Sequence, residues 1–225
     1  LLKKHKRNKL LLMLRILQLE SDPTLLLSAI DLSDYAYILD EDCPVDEIDY
    51  ADYSNDILNC ICSIGISSKA QQCISLVNGL MLQGRKVIIW CIFVKSIQYI
   101  ATVLKKQGIH VEMVYGEVPL ENRHKIIEGF KQNQFDVLIT NPNTLAESVS
   151  LHTICHDAIY FEYSFNLVHF LQSKDRIHRL GLKDEQYTQF YFLEVGYSTS
   201  GGYYSMDDQI YQRLKEKETT MLKAI

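Results

Sequence analysis

Between Gln172 and Gly181 the chain gathers Gln172, Asp175, Arg176, His178 and Arg179 into one short segment, Gln-Ser-Lys-Asp-Arg-Ile-His-Arg-Leu-Gly. Arg176 and Arg179 are three positions apart, so a helix or tight turn presents both on one face. A guanidinium is a planar fork that gives a phosphate two hydrogen bonds at once, which the point charge of a lysine cannot do. Groups of this kind can stabilise the charge that builds on a phosphoryl group during transfer to water. The residues alone leave a plainer alternative open, since two arginines on an exposed helix also make an ordinary solvated face. His178 reads as a packing or bonding member of the segment rather than a catalytic base.

A second group, His152, Cys155 and His156, has ligand-like spacing. No second ligand pair is evident, so it reads as a loop and strand edge, and no metal is expected. Several motifs are missing. Without a GxxxxGK[ST] loop the chain cannot cradle a triphosphate by itself. No GxGxxG follows a strand, and there is no GxSxG elbow. Arginines clustered after a strand, in a chain with no phosphate loop of its own, suggest half of a two-lobed site.

The elements that must position these residues follow a regular pattern from Lys69 onward. Lys86 to Val94 (KVIIWCIFV) is a continuous apolar run, as in a strand buried on both faces, and Trp90 within it is core. Ile97, Ile100, Ala101 and Leu104 mark one face of a helix. Strands are predicted over 109–115, 135–140, 157–161 and 187–195, with helices from Pro119 to about Lys131 and through 166–179. Met206, Ile210 and Leu214 line a last helix. Alternation of this kind predicts an α/β fold with a parallel sheet, helices on both faces and right-handed crossovers. Ligands in such sheets bind beyond the carboxyl ends of the strands, which is where the polar segments fall.

Upstream, Leu10, Leu14 and Leu17 have helical spacing, and Asp22-Pro23 stops that helix. Ten acidic residues and no Lys or Arg lie between Asp31 and Asp56, predicting a small helical insertion or a solvated loop. Five basic residues (Lys3, Lys4, Lys6, Arg7 and Lys9) crowd the first nine positions, and could touch phosphates or simply charge a helix end. The 225 residues suffice for one substantial domain with an appendage, and 47% hydrophobic with 23% charged composition argues against disorder. The net charge of -5 argues weakly against a surface that coats nucleic acid, although local patches decide that question. Six cysteines without a CxxC pair predict a reducing, cytoplasmic setting, and neither a membrane span nor a signal peptide is expected.

From residue 67 onward the sequence resembles the C-terminal RecA-like lobe of superfamily-two helicases, and among these the Swi/Snf-type ATPases, in a bacterial-type branch. Gln172-x-x-Asp175-Arg176-x-His178-Arg179-x-Gly181 is similar to the family's motif VI, with Leu182 where Gln is frequent. Asp175 stands where RNA helicases of the DEAD-box type usually carry Gly. Lys86 to Val94 resembles the strand of motif IV, and Tyr115-Gly116 with Arg123 and Phe130 the block after the next strand. Leu138 to Asn141 enters a segment similar to the motif V loop, and Asn141 to Leu151 has that loop's length though it lacks the usual glycines. Leu11 to Leu25 looks like the helix before the lobe, and Ser205 to Lys217 like the helix that braces the two lobes after it.

The resemblance implies a three-part chain: 1–66 helical with an acidic insertion, 67–195 the RecA-like lobe, and 196–225 the bracing helix. It implies an ATP-driven translocase on double-stranded DNA, with ATP and Mg2+ held mainly by a first RecA-like lobe of the same protein. Arg179 would be the arginine finger and Arg176 its catalytic companion. Gln172, Asp175 and Gly181 would support the nucleotide, while Lys95, Ser96, Thr140, Asn141 and Asn143 would contact DNA phosphates with little sequence preference. This fragment alone would be inactive. Two alternative readings of the sequence are a non-catalytic RecA-like module that docks a protein partner through 31–56, and an RNA helicase lobe.

Overall fold

The computed structural model describes residues 9–28, 54–146, 149–179 and 186–224. The predicted acidic insertion falls largely outside them, as do Lys3 to Arg7 and Gly181. The chain divides into two compact units. One comprises Gln72–Tyr163 and Leu167–Leu193; the other is drawn from the described residues within Leu1–Gln71, Ser164–Asn166 and Glu194–Ile225.

The first unit is a five-stranded parallel sheet. Its strands are β1 (Val87–Trp90), β2 (Val111–Val114), β3 (Val137–Thr140), β4 (Asp157–Tyr160) and β5 (Gln189–Phe192), in the order β2-β3-β1-β4-β5. Val87 lies opposite both Val137 and Asp157, and Trp90 opposite Thr140 and Tyr160. The three central strands are buried along their whole length, whereas the edge strands β2 and β5 are partly open. That is why KVIIWCIFV carries no alternation: both faces are covered by helices. The run is longer than the strand it forms, because Cys91, Ile92 and Phe93 are buried beyond the last ladder pair.

Helices α4 (Val94–Lys106) and α5 (Leu120–Lys131) follow β1 and β2, and α6 (Leu167–Lys174) follows β4. Ile97, Ile100, Ala101 and Leu104 form the buried face of α4, and Ile127 and Phe130 that of α5. Gly108, with φ of 80°, turns the chain out of α4 in a conformation that costs other residues more. Lys86 is buried at the start of β1 and donates to the carbonyls of Phe130 and Phe135, at 2.7 and 2.8 Å. Arg85 grips the buried Asp157 carboxylate with two nitrogens, at 2.8 and 2.6 Å. These contacts fix the amino ends of the central strands, the end opposite the candidate site.

In the second unit, α1 (Lys9–Ser21) buries Leu14 and Leu17, and Asp22 caps a 3-10 turn over Pro23–Leu27 by accepting from Thr24 N at 2.8 Å. Helix α2 spans Asn55–Ser63, and α3 (Ser68–Leu82) begins in this unit. A hairpin of β6 (Tyr197–Thr199) and β7 (Gly202–Tyr204) leads into α7 (Met206–Lys223), which packs against α1. Met206, Ile210 and Leu214 are buried along one stripe of α7, as their spacing predicts.

The start of α7 is held by buried charge. Glu20 accepts from Met206 N at 2.8 Å and from Asp207 N at 2.9 Å. Burial, reinforced by the neighbouring Asp207 and opposed by those backbone donations, raises the Glu20 carboxyl from 4.5 to about 7. The folded state then holds this proton more tightly than the unfolded chain does. Its contribution is complete below the unfolded value and is lost as pH rises through the folded one. Thermal denaturation of the chain is therefore expected to show a midpoint that falls between about pH 5 and pH 8. Glu20→Gln should flatten that slope; an unchanged slope in the variant contradicts the role given to Glu20.

Candidate functional site

At the carboxyl end of the sheet, the loops after β1, β3 and β4 carry the polar segments singled out in the sequence. Thr140 closes β3 with no exposed surface and pairs its carbonyl with Cys91 N at 3.0 Å. Asn141 turns the chain: its side-chain oxygen accepts from Thr144 N at 3.1 Å, an Asx-type turn that leads into a 3-10 turn over Thr144–Ala146. Asn141 is half-buried and Asn143 exposed. After β1, Lys95 is exposed on the first turn of α4 while Ser96 is fully buried.

The arginine segment is anchored from β4. Tyr160 shares a 2.7 Å hydrogen bond with Ser173, which also donates to the Phe170 carbonyl at 2.7 Å. Tyr160 stacks on Phe192 with centroids 4.8 Å apart, and burial pushes its phenol well above the usual range. Helix α6 packs against the turn at 144–146. It stops at Lys174, short of the predicted 179, and passes through a turn over 175–177. Ile177 is fully buried and pins that turn, with the Thr188 hydroxyl 3.4 Å from its carbonyl.

Arg176 and Arg179 consequently have different surroundings. The half-buried Arg176 donates through Nη1 to the Val149 carbonyl at 3.3 Å, and its own carbonyl accepts from Leu151 N at 2.9 Å. Burial, and then the nearby Arg179 cation, lower its pKa, with Asp175 opposing. Arg179, Asp175 and His178 are exposed, and Gln172 is half-buried. The structure thus joins Arg176 to the loop after β3, and carries Arg179 at the surface beyond it.

His152, Cys155 and His156 do not converge. Cys155 is buried and donates to the carbonyls of Lys86 and Asp157, and burial pushes its thiol up to about 12. His152 Nδ1 lies 2.5 Å from Ser150 Oγ, and the Gln186 amide contacts the His156 ring at 3.0 Å. Among the described residues no group of three or more His, Cys, Asp or Glu could hold a metal ion.

Sequence reasoning missed Glu162. It is 1% exposed, beyond the end of β4. Its carboxylate accepts from Ile92 N at 2.8 Å, Phe93 N at 3.0 Å and the Ser96 hydroxyl at 2.5 Å. No local pattern could reveal it, because those partners lie 66 to 70 positions away.

Strands β1 to β4, the loops that follow them and the arginine segment lie within residues 68–181, and that range matches the model of a family described as the helicase conserved C-terminal domain. The match covers half of the chain. The chain belongs to the helicase conserved C-terminal domain family. A protein of Mycoplasma pneumoniae named as an uncharacterized ATP-dependent helicase is 27% identical to it over 118 residues, 52% of this chain and 11% of that protein. The chain therefore spans about a tenth of that relative's length. Among solved structures, the C-terminal part of the Fun30 ATPase domain is similar at a TM-score of 0.55 and 21% identity, over 66% of this chain and 45% of that one. At that identity the likeness is one of fold, and it agrees with the RecA-like parallel sheet of this helicase C-terminal domain. The C-terminal domain of the DEAD-box protein Dbp5 is similar at a TM-score of 0.49 and 18% identity, over 66% of this chain and 77% of that one, too distant to carry an argument. Among the described residues of the domain, no helix is long and apolar enough to cross a membrane.

Proposed function

We propose that this helicase C-terminal domain is the second motor lobe of an ATP-driven translocase of Swi/Snf type that moves on double-stranded DNA. The observation that carries the reading is the division of labour between the two arginines: Arg176 is tied to the loop at 149–151, and Arg179 stands exposed beyond it. An exposed guanidinium on a pinned segment suits a group that must reach a phosphate held by another lobe. Arg179 is the finger in this reading, and Arg176 holds the arm. Gln172 and Asp175 steady the nucleotide-facing surface. Asp175, where DEAD-box proteins usually carry Gly, is what favours duplex DNA over RNA.

ATP and Mg2+ would be held mainly by the first RecA-like lobe of the full-length protein, with which this domain pairs. The chain's own residues then have two tasks. They bring charge to the γ-phosphate when the lobes close, and they hold the nucleic-acid backbone between steps. For the second task Lys95, Asn141 and Asn143 offer side chains at or near the surface, whereas Ser96 and Thr140 are buried. Contacts of this kind go to phosphates, so they fix position without reading sequence.

The test is triplex displacement by the full-length protein. With ATP it should strip a third strand from a DNA duplex without separating the duplex itself. Stable retention of the third strand, under conditions where ATP is hydrolysed, would overturn the translocase reading.

A further inference from the structure

The start of α4 is a thirteen-residue helix terminus with no acidic residue in its first turn and no side-chain bond from its N-cap, Phe93. A terminus of that kind is an open anion receptor, because its backbone N–H groups and dipole both favour negative charge. In this domain the turn that leads into it is held from within. Glu162 lies just beyond the neighbouring strand β4, whose end is joined to β1 by Phe161 N donating to the Trp90 carbonyl at 2.9 Å. One carboxylate oxygen takes the N–H groups of Ile92 and Phe93, and the other takes the Ser96 hydroxyl. The pattern is that of a capping box whose acid arrives from a distant strand. Ser96 turns inward to meet it, and Lys95, one position earlier, faces solvent.

We propose that Glu162 is the positioning residue of the nucleic-acid track: it holds the N–H groups of Ile92 and Phe93 and the Ser96 hydroxyl, and so fixes the turn that presents Lys95. The inference rests on the reading of Lys95 as a backbone contact, and it removes Ser96 from the contact set. It also explains why a carboxylate stands beside a surface meant for polyanions. Buried and bonded by three donors, it orders the turn without facing the ligand.

The experiment is a double-mutant cycle in the full-length protein, read as the salt dependence of duplex-DNA binding. Lys95→Ala should lower the slope of log affinity against log salt by about one, the loss of a single phosphate contact. Glu162→Ala should lower it equally, and the double variant no further, because Glu162 acts through Lys95. Glu162→Gln should keep the wild-type slope, since its amide oxygen can accept both N–H groups and the Ser96 hydroxyl can turn to accept. Glu162→Asp, with the carboxylate one methylene shorter, replaces the alanine variant if that does not fold. Additive slopes in the cycle, or a glutamine variant that behaves as the alanine one does, overturn the role of Glu162 alone. An unaltered slope in Lys95→Ala overturns the lysine contact itself, and the inference falls with it.

Discussion

Replacing Arg179 with alanine in the full-length protein should lower nucleic-acid-stimulated ATP hydrolysis by about 10³-fold or more, the range lost with an arginine finger in other nucleotide hydrolases. The reason is electrostatic. Charge on the γ-phosphate oxygens grows toward the transition state, and a guanidinium placed before the reaction stabilises it at no cost in reorganisation. Arg179→Lys should recover little, because a lysine presents one charged point in place of a planar fork. Since Arg179 is exposed, neither change should affect the chain's stability by more than about 0.5 kcal/mol. The KM for ATP should change less than kcat, as expected for an interaction made mainly in the transition state. Hydrolysis within twofold of wild type, in a protein that still binds DNA, contradicts the assignment. Arg176→Ala should differ in kind. It removes the guanidinium bond to the Val149 carbonyl, so it loosens the loop after β3 as well as slowing hydrolysis.

Loss of Lys69 is expected to bring the largest change in stability. Its ammonium contacts both oxygens of Asp207, at 2.8 and 2.7 Å, and the two side chains are 1% and 0% exposed. Asp207 also accepts from Val195 N at 3.0 Å, in the first turn of α7. Lys69→Met keeps much of the volume but leaves the carboxylate buried without its counter-ion. Breaking a buried pair from one side costs about 3–5 kcal/mol, more than the pair itself contributes relative to a well-packed apolar replacement. Chemical denaturation of the isolated chain should show that loss, and Asp207→Asn in the Lys69→Met background should recover part of it. A single variant within about 1 kcal/mol of wild type contradicts the buried pair.

The two results separate what was legible in the sequence from what was not. The central strands could be read because parallel strands covered on both faces have to be apolar throughout, and 86–94, 135–140 and 157–161 contain β1, β3 and β4. Their ends could not be read, since burial continues past the ladder at Cys91 to Phe93. The strand expected over 187–195 shrank to Gln189–Phe192 at the sheet edge, where partial exposure weakens the apolar signal. The hairpin at 197–204 was missed, although Ser200-Gly201-Gly202 marks its turn and Gly202 has a φ of 113°. At the site, the identities of Arg176 and Arg179 were plain, but their division into a tethered and an exposed residue was not. That depends on Val149 and Leu151, 27 and 25 positions upstream. Glu162 and the Lys69–Asp207 pair were hidden for the same reason, as both act across long stretches of chain.

The segment from Gln172 to Arg179 gains its meaning from the sheet that carries it: one arginine bound to the loop after β3, the other presented beyond. The most direct test of a duplex-DNA motor is steady-state ATP hydrolysis by the full-length protein, titrated in parallel with duplex DNA, single-stranded DNA and duplex RNA. Marked stimulation by duplex DNA, weaker stimulation by the other two, and its loss in Arg179→Ala are the predicted result. Hydrolysis indifferent to every nucleic acid, or stimulated by RNA alone, would contradict it.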